Sequence, residues 1–346
     1  MKTKSVITGI TAGLLFGIAT PLSKIILSDL NSFQLAGLLY FGAALAYVPF
    51  LVKHWNAEFS SLKKPGKKLQ LSGIVLFGGI LGPLFLMLGL KTANAMSVSI
   101  WLNLEMVITA ILGVLFFRDY LDRNAIIGIL LTLAAGILIT VQESSSGIVS
   151  GVFVLLACIF WGLDNHLSAL VDGVSPQTIT FVKGLFGGVT NLTIGMFLGT
   201  RLIHPEYVPF ALLIGIFSYG ISIVLYVNAA QNLGATRSQI LFSTAPFWGI
   251  LAAWILLGEP LSLITIASFI ILIAGILVMN LTSHRHEHFH KAVVHIHEHS
   301  HDDDHHNHLH EGNNDRKLRH SHLHEHKEGT HTHKHYPDLH HRHVHR

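Results

Sequence analysis

Residues 161 to 167 read WGLDNHL inside an otherwise apolar run, with GVFVLLACIF before and SALV after. An aspartate, an asparagine and a histidine in a row are out of place in hydrocarbon unless they meet a partner or line a polar cavity. A charged side chain at the centre of a bilayer costs about 2.5–3.5 kcal/mol on insertion scales. Two more charges stand in similar surroundings, Glu105 in WLNLEMVITA and Lys183 in FVKGLFGGVTN. Glu105, Asp164, Asn165, His166 and Lys183 together supply two carboxylates, an amide, an imidazole and an ammonium. Such a set can bind a small polar solute or carry a proton, and Glu105, a lone carboxyl near the bilayer midplane, is the candidate for the proton. Ser97, Trp101 and Thr109 share its helix face at spacings of four. Trp101, Trp161 and Trp248 could line a cavity or merely pack. A blander reading stays open: Asp164 and Lys183 could only neutralise one another, and His166 could be a satisfied group near a helix end.

The elements that must carry these residues are membrane helices. Of 346 residues half are hydrophobic and 12% are charged, and the mean hydropathy is +0.51, the profile of an all-α polytopic membrane protein. A crossing needs about 20 apolar residues. Ten segments qualify: 5–27, 33–52, 71–90, 94–117, 125–141, 148–171, 177–199, 208–229, 235–257 and 261–281. They lack the apolar–polar alternation of barrel strands. The first is long enough to be retained as a helix rather than cleaved. The single cysteine, Cys158, rules out a disulfide framework or a thiolate cage. With the N-terminus inside, the cytoplasmic loops collect Lys2, Lys4, Lys53, Lys63, Lys64, Lys67, Lys68, Arg118 and Arg123. The outside receives Lys24, Lys91 and Arg201 up to the eighth segment, a positive-inside bias that sets both termini in the cytoplasm. Lys24 and Arg237, near segment ends, are expected to snorkel.

The segments repeat. FFRDYLD (116–122) and LLGEPLS (256–262) each follow a long apolar helix and precede AAGILIT (134–140) or IAGILVM (273–279), while LLFGIATPLSK (14–24) matches IFWGLDNHLSA (159–169). The chain is five helices twice, over 1–145 and 146–282, and an odd number per copy inverts the second copy. Inverted repeats are a common framework for alternating access. In this alignment Glu105 corresponds to Ala245, Asp164 and His166 to Ala19 and Pro21, and Lys183 to Ala36. The polar groups are therefore not required by the fold. Pro21 and Pro246 are expected helix kinks.

The G-E-P-L element at 258–261, its degenerate partner Arg118-Asp119-Tyr120-Leu121, and STAPFWGILAAWILLGEPL at 243–261 resemble the EamA-type transporters of the drug/metabolite transporter superfamily. The resemblance covers about residues 1–281 and implies a secondary transporter, commonly an exporter, of small organic solutes. The first half departs from the usual pattern: Leu104-Glu105-Met106 stands where the second half has Thr244-Ala245-Pro246. A subset of the superfamily is similar here, with LNLE in the fourth helix and an Asp-Asn pair in the sixth.

From Ser283 the composition changes. The last 63 residues hold 23 of the 26 histidines, with ten acidic and nine basic residues. With so little apolar matter the segment 283–346 is expected to be disordered. The histidines come as HRHEHFH, HIHEHSH, HSHLHEH, HTHKH and HRHVH. H-x-H puts alternate imidazoles on one side of an extended chain, and pairs four apart, such as His284/His288 and His322/His326, share a face in a helix. Candidate ligands are His284, His286, His288, His290, His295, His297, His299, His301, His320, His322, His324 and His326, and imidazole suits Zn, Ni, Co or Cu. The other reading is a solvated segment that becomes a polycation below about pH 6.5.

The leading expectation is a multi-pass transporter of the cell (inner or plasma) membrane, exporting a small metabolite with possible proton coupling, its cytosolic tail binding a transition metal. The alternatives are transport of a metal ion or chelate fed by the tail, and a membrane-anchored metal store that transports nothing. The expected partners are a small-molecule substrate, the lipid bilayer and transition metal ions, with a homodimer left open and no nucleic acid. No cofactor is required. No nucleophile–base set or phosphate loop points to an enzyme or an ATP-driven pump.

Overall fold

The computed structural model describes residues 3–62, 66–117, 121, 123–171, 173–198, 205–233, 235–280, 284–290, 293–299, 320–326 and 329–335. They form two units, a helical one up to residue 280 and a small one of strands from the histidine-rich tail.

The helical unit begins with α1 (Thr3–Gly17), α2 (Ala19–Ile26), α3 (Ser32–Leu45), α4 (Val48–Leu62) and α5 (Lys67–Gly73). A π-helical stretch, Ile74–Leu81, leads into α6 (Gly82–Thr92), α7 (Ala95–Trp101), α8 (Leu104–Phe117), α9 (Arg123–Gln142) and α10 (Ser144–Leu170). Then come α11 (Pro176–Leu198), α12 (Val208–Ile214), a second π-helical stretch at Gly215–Ile221, α13 (Ser222–Leu233), α14 (Ala235–Phe242), α15 (Ala245–Leu257) and α16 (Leu263–Asn280). Among the described residues seven stretches are long and apolar enough to cross a membrane: Ile7–Ile26, Lys67–Thr92, Ala95–Phe116, Arg123–Gln142, Gly147–Leu170, Pro176–Leu198 and Pro205–Gln231. The pair Ser32–Leu45 and Val48–Asn56, bent by 51°, makes an eighth. The ninth expected segment differs from expectation, because a break at Ser243 and Thr244 divides it into α14 and α15. The last is the shorter apolar helix Leu263–Met279.

The breaks follow from sequence. Proline lacks an N–H and removes a helix bond four residues back. Pro21 stands just after the break between α1 and α2, and Pro246 is the second residue of α15. Pro83 does the same beside the first π-helix, where Gly79 cannot receive a proline N–H. Asn191 on α11 replaces it, its Nδ2 donating to Gly79 O at 3.3 Å and Ile80 O at 3.2 Å, while Trp161 Nε1 donates to Gly78 O at 3.3 Å. Irregular backbone at membrane depth requires such replacements. Irregularities also recur: the π-helices start at Ile74 and Gly215, and helices break at 102–103 and 243–244.

The packing repeats as well. α3 lies on α11 and α9 on α16. α1 packs on α13 and α15, as α10 packs on α6 and α8, and α7 packs on α15. Small residues allow the closest approaches. A Cβ at Gly187 of α11 would lie 2.4 Å from Gly79 O, so that helix meets the first π-helix backbone to backbone.

In the tail, β1 (His284–His290) pairs antiparallel with β4 (Gly329–His335), and β2 (Val293–His299) with β3 (His320–His326). These four stretches have extended, paired backbones. The H-x-H alternation has the period of a strand, and Val293, Val294, Ile296, Thr330 and Thr332 add β-branched residues. The spacing-of-four alternative is therefore not adopted at His284/His288 or His322/His326. Residue 301 and the remainder of the tail lie outside the described residues.

Gly187→Val tests the backbone contact. Overpacking there should cost about 1–3 kcal/mol, read as a lower melting temperature in detergent. An unchanged melting temperature would show that the two backbones are not in contact.

Candidate functional site

Asp164 and Lys183 meet. α10 and α11 are neighbours in sequence, so the two charges sit at similar depth, and Lys183 Nζ donates to Asp164 Oδ2 at 2.7 Å with both side chains 4% exposed. Ser168, one turn on, donates its hydroxyl to Asp164 Oδ1 at 3.2 Å. Gly78, within the π-helix, makes room for the carboxyl, since a Cβ there would lie 2.3 Å from it.

Glu105 is buried at the start of α8, directly after the break at Leu102 and Asn103. Asn165 Nδ2 donates to Glu105 Oε1 at 2.8 Å and lies 3.3 Å from Gln239 Oε1 and 3.4 Å from Thr109 Oγ1. One amide thus ties α10 to α8 and α14. Adjacent residues of α10 serve two neighbouring polar groups, Asp164 the ammonium and Asn165 the second carboxyl. Both belong to one cavity, lined by Phe16, Tyr40, Glu105, Trp161, Asp164, Asn165, Lys183, Ile223, Tyr226 and Phe242. It has room for a few water molecules only. A smaller void beside it is lined by Asn103, Glu105, Gln239, Ser243, Ala245 and Pro246, among others.

His166 and Trp101 lie elsewhere. His166 does not flank the ion pair: its Nε2 is 2.9 Å from Thr109 O, so it helps hold α10 on α8. Trp101 is not a lining residue, since its Nε1 donates to Gly136 O at 3.1 Å and Thr140 Oγ1 at 3.0 Å, packing α7 on α9. His166 points away from the cavity because one residue along α10 is about 100° of rotation, and Trp101 because the helix breaks between it and Glu105. Pro246 lines the smaller void, while Pro21 is buried in α2. Lys24 reaches the end of a neighbouring helix. Its Nζ donates to Leu90 O at 2.7 Å and Ala93 O at 2.9 Å, closing the end of α6 where a cation is favoured. The side chain of Arg237 lies outside the described residues.

Aromatic residues of the wall had no polar signal in sequence. Phe16 makes an edge contact with Trp161 at 5.7 Å and packs on Tyr219 at 5.5 Å and Phe242 at 5.1 Å, and Tyr226 meets Phe242 at 5.2 Å. Gln239 was visible as an amide in the 235–257 run, by the reasoning that singled out Glu105. Glu259 of G-E-P-L has a distinct place: its carboxylate accepts from the backbone N–H of Ala95 at 2.7 Å and of Met96 at 2.9 Å. It caps the positive end of α7 and ties the second half of the chain to the first.

Removing one member of a buried pair leaves an uncompensated charge, at a cost of about 3–5 kcal/mol. Lys183→Ala should therefore lower the melting temperature and folded yield sharply, and the exchange Asp164→Lys with Lys183→Asp should recover most of the loss. An alanine variant as stable as the parent would refute the dry pair.

Comparison with known proteins places this architecture. An uncharacterized transporter of Methanothermobacter thermautotrophicus is 29% identical over 290 residues, covering 78% of this chain and 84% of that protein. A protein of known crystal structure shares the fold with a TM-score of 0.65 at 15% identity, over 81% of this chain and 97% of its own. The EamA-like transporter family matches twice, over residues 3–141 and 149–281. The protein is a multi-pass membrane transporter of the drug/metabolite kind and belongs to the EamA-like transporter family.

Proposed function

We propose that the chain is a secondary transporter that exports a small organic solute from the cytoplasm, with Glu105 as the proton-carrying group. The observation that carries this reading is the cavity itself. It takes Phe16, Tyr40 and Glu105 from the first half and Trp161, Asp164, Asn165, Lys183, Ile223, Tyr226 and Phe242 from the second. A site shared between two halves can be opened to either side by rocking one against the other.

The ten apolar segments are read as ten crossings in two inverted five-helix repeats. Support comes from the packing, in which exchanging the halves converts the contacts α1–α13, α1–α15 and α7–α15 into α10–α6, α10–α8 and α14–α8 and leaves the pairs α3–α11 and α9–α16 as they are. In this arrangement both termini are cytosolic, in the inner or plasma membrane, and the chain is not an enzyme. Asp164 and Lys183 hold the cavity wall when empty and can each release the other to a bound solute. The tail is read as a cytosolic transition-metal site. In the strand register His284, His286 and His288 stand opposite His335, His333 and His331, and His295, His297 and His299 opposite His324, His322 and His320. Imidazole suits Zn, Ni, Co or Cu. Among the residues whose side chains are described, no three His, Cys, Asp or Glu gather as a metal cluster.

Two measurements test these readings. In proteoliposomes with an imposed pH gradient, Glu105→Gln should abolish gradient-driven solute flux while the protein still inserts, and unchanged pH-dependent flux would remove Glu105 from the coupling. Truncation after Thr282 should remove nearly all Zn or Ni binding in calorimetry and leave the helical unit folded. Equal metal stoichiometry in the two proteins would end the tail assignment.

A further inference from the structure

The charge balance of the cavity selects a class of solute. Asp164 and Lys183 cancel one another in a 2.7 Å ion pair. Glu105 has amides for partners, Asn165 at 2.8 Å with Gln239 beyond it, and among the described residues no cationic side chain in ion-pair range. The cavity therefore carries one uncompensated carboxylate. In a site with so little water that carboxylate acts at short range and largely unscreened, and it favours a solute of opposite charge.

The walls agree. Phe16, Tyr40, Trp161, Tyr226 and Phe242 line the cavity, with Tyr219 packed behind Phe16 and Tyr40. Aromatic faces attract cations through the ring quadrupole and accept an apolar body without a desolvation cost. The Tyr226 hydroxyl is buried and has no hydrogen-bond partner. An N–H bearing cation would satisfy it, whereas a quaternary ammonium, having no N–H, would not. An anion would meet Glu105 unfavourably, and a zwitterion would have to draw Lys183 away from Asp164.

We infer that the cavity binds a hydrophobic primary or secondary ammonium ion, its N–H groups donating to Glu105 and the Tyr226 hydroxyl and its apolar part lying among the aromatic rings. This rests on the reading of the cavity as the solute site, but binding is measurable without transport.

The test uses three probes with one body and different head groups: phenethylamine, phenylalanine and 3-phenylpropionate. Each is titrated calorimetrically into the full-length protein in detergent, with chelator present to silence the tail. Phenethylamine should bind at least ten-fold more tightly than either of the others. Glu105→Gln should weaken it at least ten-fold, Glu105→Asp should restore part of the loss, and Tyr226→Phe should weaken it a few-fold, all four proteins being matched by melting temperature. Equal or tighter binding of phenylalanine or 3-phenylpropionate overturns the assignment, as does no binding of phenethylamine, or its undiminished binding to folded Glu105→Gln protein. Amine binding without amine flux in proteoliposomes would uphold the class and overturn the transport reading instead. Flux of another solute without amine binding would do the reverse.

Discussion

The ion pair between Asp164 and Lys183 sets conditions that much of the surrounding structure meets. Two charges can be held in a membrane interior only if their geometry is close and the remaining polar atoms are satisfied. Closeness demands that α10 and the first π-helix approach tightly, and Gly78 provides the space for the carboxyl. The π-helix in turn frees backbone carbonyls that must find donors, which Trp161 and Asn191 supply. Trp161, placed by that bond, becomes part of the cavity wall. One electrostatic requirement thus propagates into a glycine, a helix irregularity, an asparagine two turns from Lys183, and the shape of the site.

The second carboxyl is handled differently. Glu105 has an amide rather than a counter-charge. An amide can orient a carboxyl without cancelling it, so the group stays available to a proton or a cation. Because Asn165 is the neighbour of Asp164, any rotation of α10 that disturbs the ion pair also disturbs the bond to Glu105. The pair and the lone carboxyl are mechanically linked through one helix, and the capping of α7 by Glu259 ties the partner helix segment to the second half.

Much of this was legible in sequence because charge in an apolar run is conspicuous. Glu105, Asp164, Asn165 and Lys183 stood out by cost alone, and their helix positions gave the Asp164–Lys183 depth match. What was not legible has a common cause. Phe16, Tyr40, Tyr226 and Phe242 are apolar residues among apolar residues, so nothing in composition separates a cavity wall from a lipid-facing surface. For Trp101 the sequence left lining and packing both open, because the helix breaks at Leu102 and Asn103 and periodicity does not carry across them. His166 differs from Asn165 by one residue, about 100° of helix, and that rotation carries it to the backbone of Thr109. In the tail the H-x-H alternation already offered an extended chain, while the low apolar content argued against any core.

The placement of Glu105 also bears on why the two halves diverged. Its counterpart in the internal repeat, Ala245, lines the same small void. Were the repeat faithful, two carboxylates would face each other across a space of about one water molecule, and like charges at that range could not both ionise. One of them would then be held neutral permanently, or the two would share a proton, and the site could no longer offer a single independent carboxyl. Alanine at 245 removes the conflict. The same reasoning covers Asp164, whose counterpart is Ala19, and Lys183, whose counterpart is Ala36: a second ion pair would occupy the opposite wall, where Phe16 and Tyr40 now stand. A symmetric frame can carry an asymmetric site only if, at each paired position, one copy gives up its polar group: here the second copy does so at Ala245 and the first at Ala19 and Ala36, while both copies contribute aromatic rings to the wall.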